Sequence, residues 1–278
     1  MRKKSLERST IRKGAVCRQD SSASGIFYGS GKMGTRVLAS RLFDLVCPGY
    51  CLICGESEGG STICHDCVGR FRALLYQACP RCAAPAAPGG LPCSFCHQGR
   101  YPFEHAHALG VYRGFLRDAI LFAKRPGGGP LAYKIGQILG DAFAAQLAEH
   151  GYSLLTAAPV HWRRRLRRGF NGAELIIRGL QTRLRVPASG GLLVHRRPTR
   201  KQSMLSSSQR GRNVKRAFRL GPGHDLAGQQ ILLVDDVMTT GKTAGELSRV
   251  LRRAGAERVD LLVVARGLPP ADRKDVGT

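Results

Sequence analysis

Ile231-Leu232-Leu233-Val234-Asp235-Asp236-Val237-Met238-Thr239-Thr240-Gly241-Lys242-Thr243 is the stretch that decides how the rest of the chain is read. Its four leading residues, Ile231 to Val234, have the length and composition of a central strand covered on both faces. An acidic pair, Asp235 and Asp236, follows at the strand's carboxyl end, and a small polar loop, Thr239 to Thr243, comes next. A helix is predicted from about Thr243 to Ala254, with its positive end turned toward the same place. Ligands of open parallel sheets bind at the carboxyl ends of strands. The stretch thus sets acceptors for hydroxyl groups beside backbone N–H groups that can hold an anion, the combination a sugar phosphate needs. Gly241-Lys242-Thr243 also ends like a Walker A loop, but that loop requires glycine where this chain has Asp236. A carboxylate there would meet the incoming phosphates, so the Walker reading is rejected.

Working outward, Val259 to Ala265 is a last buried strand, and Leu268 to Thr278 is a polar tail. Upstream, His105 to Tyr112 alternates as a strand, and Gly114 to Lys124 has the apolar face of a short helix. Arg125-Pro126-Gly127-Gly128-Gly129-Pro130 breaks it, and Leu131 to Glu149 is a longer amphipathic helix. Leu154 to Val160 is a further strand, running into a basic loop, His161-Trp162-Arg163-Arg164-Arg165-Leu166-Arg167-Arg168-Gly169-Phe170-Asn171. Asn171 has the side chain of an N-cap for a helix reaching about Leu184. Leu192 to His195 is a short strand, and Arg196 to Arg219 is a long loop rich in Arg, Lys and Ser. The order is that of an α/β fold with a mainly parallel sheet flanked by helices.

The basic loop after Val160 leaves a strand at the same sheet edge as the acidic pair. Two readings stand for it: a cradle for pyrophosphate, to which arginine forks are suited, or a solvated basic surface. The loop at 196–219 is long enough to close over an anionic ligand or to touch nucleic acid. Phe218 is its sole aromatic residue, so stacking on single-stranded bases is poorly supported.

Between residues 51 and 96 the cysteines fall in four pairs, Cys51/Cys54, Cys64/Cys67, Cys79/Cys82 and Cys93/Cys96, each spaced C-x-x-C. A pair at this spacing aims two thiolates at one ion, and two pairs complete a closed tetrahedral site. The segment between Cys82 and Cys93 is mostly Ala, Pro and Gly and has no core of its own, so bound metal would supply its folding energy. Two structural zinc ions are expected, with a redox dithiol or an iron–sulfur cluster as the alternatives. Spacing leaves sequential and cross-braced pairing open. Cys47, His65 and His97 are bystanders in this reading, and Cys17 has no partner at metal-site spacing.

The chain has 278 residues and a formal charge of +25, which predicts attraction to polyanions or, more blandly, charged faces in solvent. No apolar run has the length of a membrane span or a signal-peptide core, so a cytoplasmic protein is the expectation. Residues 1–36 are basic and Ser/Gly-rich and are expected to be disordered, as a basic arm, a transit peptide or residues upstream of a true start at Met33. The start at Met33 is preferred. The expected domains are then 37–100 for the cysteine pairs, 101–267 for the α/β unit and 268–278 for the tail.

Asp235 to Thr243 resembles the phosphoribosyl pyrophosphate (PRPP) motif of type I phosphoribosyltransferases. With the four cysteine pairs, with Arg168-Gly169-Phe170-Asn171, and with Thr199, Gln202, Leu205, Arg210, Asn213, Ala217 and Phe218, the chain resembles the ComF family over roughly Val37 to Arg266. That family joins a double zinc ribbon to a phosphoribosyltransferase-like domain. The resemblance implies PRPP bound with magnesium, with ribose hydroxyls on Asp235 and Asp236 and the 5′-phosphate in Thr239, Thr240, Gly241, Lys242 and Thr243. Val160, His161 and Arg168 become candidates for the pyrophosphate. It also implies a link to DNA uptake in natural competence, with single-stranded DNA or a competence protein as partner. Transfer of a phosphoribosyl group to an acceptor is one function it implies; a non-catalytic binding module is the other. No residue is assigned as acid or base toward an acceptor. Lys124 departs from the family pattern, being followed by Arg-Pro-Gly-Gly-Gly where relatives carry Lys-Tyr and a short polar turn.

Overall fold

The computed structural model describes residues 50–56, 62–86, 92–96, 101–196 and 214–268. The expectations for residues 1–36, for a start at Met33, for the tail beyond Leu268 and for most of the 196–219 loop lie outside them. The chain divides into two compact units, Met1–Val68 and Gly69–Thr278.

In the first unit, Cys51 opens a tight turn in which Gly55, at φ +80°, donates its N–H to the Cys51 carbonyl at 2.9 Å. Leu52 donates to the Thr62 carbonyl at 3.0 Å, and Ile53 and Ile63 are buried. Helix α1 (His65–Arg72) starts just after Cys64, carries Cys67 in its first turn and runs past Val68, where the first unit ends.

The larger unit holds a five-stranded, all-parallel sheet. Its strands are β1 (Ala106–Val111), β2 (Leu154–Ala157), β3 (Ala188–Ser189), β6 (Gln230–Met238) and β7 (Arg258–Arg266), in the order β1-β7-β6-β2-β3. β4 (Leu193–His195) and β5 (Phe218–Leu220) form a separate antiparallel pair. The helices are α2 (Gly114–Ala123), α3 (Gly129–Glu149), α4 (Trp162–Arg168), α5 (Gly172–Leu180) and α6 (Lys242–Arg253). Ile231 to Val234 and Leu261 to Val263 are fully buried, as central strands covered on both faces require.

The structure corrects several sequence expectations. β6 does not stop at Val234. β7 runs equally far beside it, pairing Asp235 with Val263, Val237 with Ala265 and Met238 with Arg266, so the acidic pair lies inside the strand. The arginine stretch is not a loop but helix α4, closed by Gly169 at φ +84°, whose N–H bonds the Arg165 carbonyl at 2.7 Å. β4 belongs to no layer of the main sheet, because β5, read from sequence as part of a loop, pairs with it.

Opposite the site edge, at the amino end of β7, Asp260 is fully buried. It accepts from the His105 N–H at 2.8 Å and the Tyr152 hydroxyl at 2.6 Å and pairs with Arg258 at 2.7 Å. Burial alone would push its carboxyl up; these donors outweigh it and hold the group below the usual range.

Helices α3 and α5 meet backbone to backbone. A Cβ at Gly136 would collide with the Ile176 carbonyl, and one at Gly179 with the Tyr133 carbonyl. Both helices also line the cavity beside the acidic pair, through Ala132 and Ile135 on one and Ala173 and Ile176 on the other. Gly136→Ala is therefore expected to force the helices apart and to cost about 1–3 kcal/mol. Chemical denaturation checks this, and a variant within 0.5 kcal/mol of the parent, about the spread of neutral surface changes, would contradict the close packing.

A candidate sugar-phosphate site and two cysteine clusters

Successive residues of a strand point to opposite faces, so Asp235 and Asp236 serve different neighbours. Asp236 faces the end of α2, where its Oδ2 lies 2.7 Å from Lys124 Nζ. Asp235 turns its Oδ1 back to accept the Asp236 N–H at 2.8 Å. Burial, with the Asp236 charge second, pushes the Asp235 carboxyl up to about 7. Both line one narrow cavity with Lys124, Val160, Arg168 and Asn171.

Asn171 fixes the far wall of that cavity. It is 4 % exposed; its Oδ1 caps α5 by accepting from Ala173 N–H at 3.1 Å, and its Nδ2 donates to the Ala158 carbonyl at 3.2 Å. One side chain thus ties the end of β2 to the start of α5, as the N-cap reading anticipated, and α4 is held between them. Arg168, the last residue of α4, looks into the cavity, and its buried Nε has no hydrogen-bond partner among the described residues. Burial lowers its guanidinium from the ordinary arginine value, with Asp236 opposing that shift. A guanidinium with spare donors beside a carboxylate pair suits an anionic ligand carrying a cation. Of the other α4 arginines, Arg163, Arg165 and Arg167 are exposed and Arg164 is half-buried.

Beyond β6 the chain turns through Thr239 and Thr240 to Gly241, which has φ +69° and caps α6. A Cβ at Gly241 would lie 2.6 Å from the Tyr101 ring, so this position requires glycine for both its conformation and its space. Thr240, Gly241 and Lys242 border a second, larger cleft of about 500 Å³ with Lys215, Arg216, Arg249 and Arg253.

The residues singled out from the sequence therefore divide between two concavities. Asp235, Asp236, Val160 and Arg168 share one cavity, while Thr240, Gly241 and Lys242 edge the next cleft. Thr239 and Thr243 are half-buried in the same turn. His161 is the N-cap of α4, accepting from the Arg163 N–H at 3.3 Å, and does not line the cavity. Sequence reasoning missed Arg266 and Tyr101. Arg266 is 2 % exposed and donates to the Met238 and Thr239 carbonyls beneath the turn, and Tyr101 packs on Gly241. The available signal was a cation closing the apolar run Leu261 to Ala265.

The eight paired cysteines form two clusters with sequential pairing, Cys51/Cys54/Cys64/Cys67 and Cys79/Cys82/Cys93/Cys96, and the sulfurs within each lie within 4.8 Å of one another. The Cys54–Cys64, Cys79–Cys96 and Cys82–Cys93 Sγ separations are 3.6, 3.7 and 3.6 Å. A tetrahedron with Zn–S bonds of about 2.3 Å has edges of about 3.8 Å, so both clusters fit zinc, and these distances are far too long for disulfides. Each set is closed, with four thiolates and no position for water, which assigns zinc a structural role. The first cluster lies in the smaller unit and the second in the larger. His65 is exposed and outside both, while Cys17, Cys47 and His97 lie outside the described residues.

Comparison with known proteins agrees with this composite. The double zinc ribbon domain family matches residues 42–97, and the phosphoribosyl transferase domain family matches residues 166–276. The DNA utilization protein YhgH of Escherichia coli K12 is 31 % identical over 229 residues, 81 % of this chain and 100 % of that protein. YhgH of Salmonella typhimurium LT2 is 31 % identical over 234 residues with the same coverage. Competence protein F of Haemophilus influenzae Rd is 35 % identical over 109 residues, 39 % of this chain and 48 % of that protein. With two cysteine clusters, a parallel sheet carrying an acidic pair, and an alignment spanning the whole of YhgH, the chain belongs to the ComF family.

Proposed function

We propose that the protein binds PRPP with Mg²⁺ and transfers its phosphoribosyl group to an acceptor. The observation that carries this reading is the meeting of Asp235, Asp236, Arg168 and Asn171 on one cavity at the carboxyl edge of a parallel sheet. The glycine-capped N-terminus of α6 follows three residues after β6. In this reading the acidic pair accepts the ribose hydroxyls, and the Thr239–Thr243 amides with the α6 N-terminus hold the 5′-phosphate. Arg168 then stands toward the pyrophosphate, with Val160 and His161 at the turn that presents it. Mg²⁺ bound with the substrate neutralises pyrophosphate charge. Displacement at ribose C1 breaks the C1–pyrophosphate bond while the acceptor's electron pair forms the new one. The chain's own share is orientation and stabilisation of the leaving pyrophosphate by Arg168. Lys124, now paired with Asp236, leaves that carboxylate when a ribose takes its place.

A second reading has its own support. Lys215, Arg216, Arg249 and Arg253 gather on the larger cleft, the chain carries +25, and its relatives are named for DNA utilization and competence. Single-stranded DNA or a competence protein then binds this basic face, and the PRPP pocket acts as sensor or scaffold. A cytoplasmic location goes with both readings; among the described residues no helix is long and apolar enough to cross a membrane.

Calorimetric titration of Mg²⁺–PRPP into the zinc-loaded protein is expected to give a dissociation constant on the order of micromolar, about −8 kcal/mol. Asp235→Asn with Asp236→Asn should abolish it, and a folded wild-type protein without binding would refute the enzyme reading. The pH dependence has a definite sign. Because Asp235 holds its proton up to about pH 7, it accepts ribose hydroxyls fully only above that pH. Affinity should rise up to about tenfold per pH unit below 7 and level off above it, and affinity falling with rising pH would contradict this role. For the second reading, DNA affinity should fall steeply between 50 and 200 mM salt, by about tenfold or more for several phosphate contacts. Salt-independent binding would remove the basic cleft from the account.

A further inference from the structure

The second cysteine cluster is fastened to the turn that follows β6. Arg266, the last residue of β7, sends its buried guanidinium in two directions. Nε donates to the Cys82 carbonyl at 2.9 Å, and Nη1 donates to the Met238 carbonyl at 3.2 Å and also to those of Thr239 and Gly267. A second arginine works in reverse. Arg81, inside the Cys79-Pro80-Arg81-Cys82 knuckle, donates to the Tyr101 carbonyl at 2.7 Å and the Glu104 carbonyl at 2.6 Å. The Tyr101 ring, stacked on Phe103 at 4.8 Å, is the one that lies on Gly241. Leu268, directly beyond the Arg266-Gly267 step, is buried among Cys79, Cys82 and Ala84.

These contacts bear on what the turn offers a phosphate. In a trans peptide the C=O and the following N–H point in opposite directions. Holding the Met238 and Thr239 carbonyls toward Arg266 therefore turns the Thr239 and Thr240 N–H groups away from it, and it places a positive charge behind them. A buried guanidinium is tolerated only while its donors are satisfied. One of its acceptors, Cys82 O, belongs to a knuckle whose fold depends on metal. The geometry points to Arg266 as a positioning residue through which zinc at Cys79/Cys82/Cys93/Cys96 sets the shape of the Thr239–Thr243 turn, and hence the affinity for the phosphate end of PRPP. Zinc at Cys51/Cys54/Cys64/Cys67 has no such part. The affinity clause rests on the PRPP reading above; the shape of the turn does not.

The test uses the full chain and two readouts, amide hydrogen exchange across residues 238–245 and calorimetric binding of Mg²⁺–PRPP. Cys93→Ser with Cys96→Ser is compared with Cys51→Ser with Cys54→Ser, each variant losing one of two zinc ions by metal analysis. The second-cluster variant should exchange at least tenfold faster in 238–245 and bind PRPP at least tenfold more weakly, while the first-cluster variant keeps wild-type exchange there. Arg266→Met should keep both zinc ions yet reproduce the faster exchange, and Arg266→Lys, which retains the charge but not the fork, should restore it only in part. Unchanged exchange in the second-cluster variant, equal change in both, or acceleration spread over β2 and α3 overturns the proposal. Should the wild type bind no PRPP, the PRPP reading fails and the exchange comparison still decides the coupling.

Discussion

The parallel pairing of β6 with β7 is the constraint on which the rest of the molecule depends. The ladder runs from Gln230 beside Arg258 to Met238 beside Arg266, with its middle, Ile231 to Val234 and Val259 to Val263, buried. Its apolar middle secures the core. Its carboxyl end positions the candidate site, because two strands of equal length hold Asp235, Asp236 and the Thr239 turn at the same sheet edge as Arg266. If β6 ended at Val234, as its apolar run alone suggests, the acidic pair would sit in a loop. Paired to β7, it is held with the precision of a strand, and a carboxylate so held is hard to solvate. The raised Asp235 pKa stems from that placement. The opposite end of the same strand pair carries the Asp260 network, so each end holds a buried, hydrogen-bonded charge, Asp260 at one and Arg266 at the other.

Much of this was legible in the sequence because the signals were local. The apolar runs at 231–234 and 259–265 gave the central strands, the C-x-x-C spacing gave the metal clusters, and Asn171 appeared as the cap it is. The features that could not be read are set by partners distant in the chain. The extension of β6 comes from β7, and the sequential pairing of the cysteines comes from turns that equal spacing does not distinguish. The arginine run reads as a loop by charge alone. It becomes helix α4 because His161 caps one end, Gly169 closes the other, and Asn171 anchors the start of α5 to the end of β2. Arg266 was passed over for a related reason: a cation at a strand end looks solvent-bound until the carbonyls that surround it are known.

The second cysteine cluster belongs physically with the sheet rather than with the first cluster. Its Pro80 carbonyl accepts from Ala106 at the start of β1 at 2.9 Å, and Arg266 reaches it from the end of β7. Fold alone does not assign a reaction. The central claim of the proposed function is narrower: one PRPP molecule spans the acidic pair and the neighbouring Thr239–Thr243 turn. Amide chemical shifts measured by NMR during titration with ribose 5-phosphate and with Mg²⁺–PRPP test it most directly. The account predicts that the Thr239 to Thr243 amides shift with both ligands, and that Asp235, Asp236 and Arg168 respond more strongly to PRPP. Saturable binding that leaves those amides unmoved and perturbs Lys215, Arg216 and Arg253 instead would contradict it.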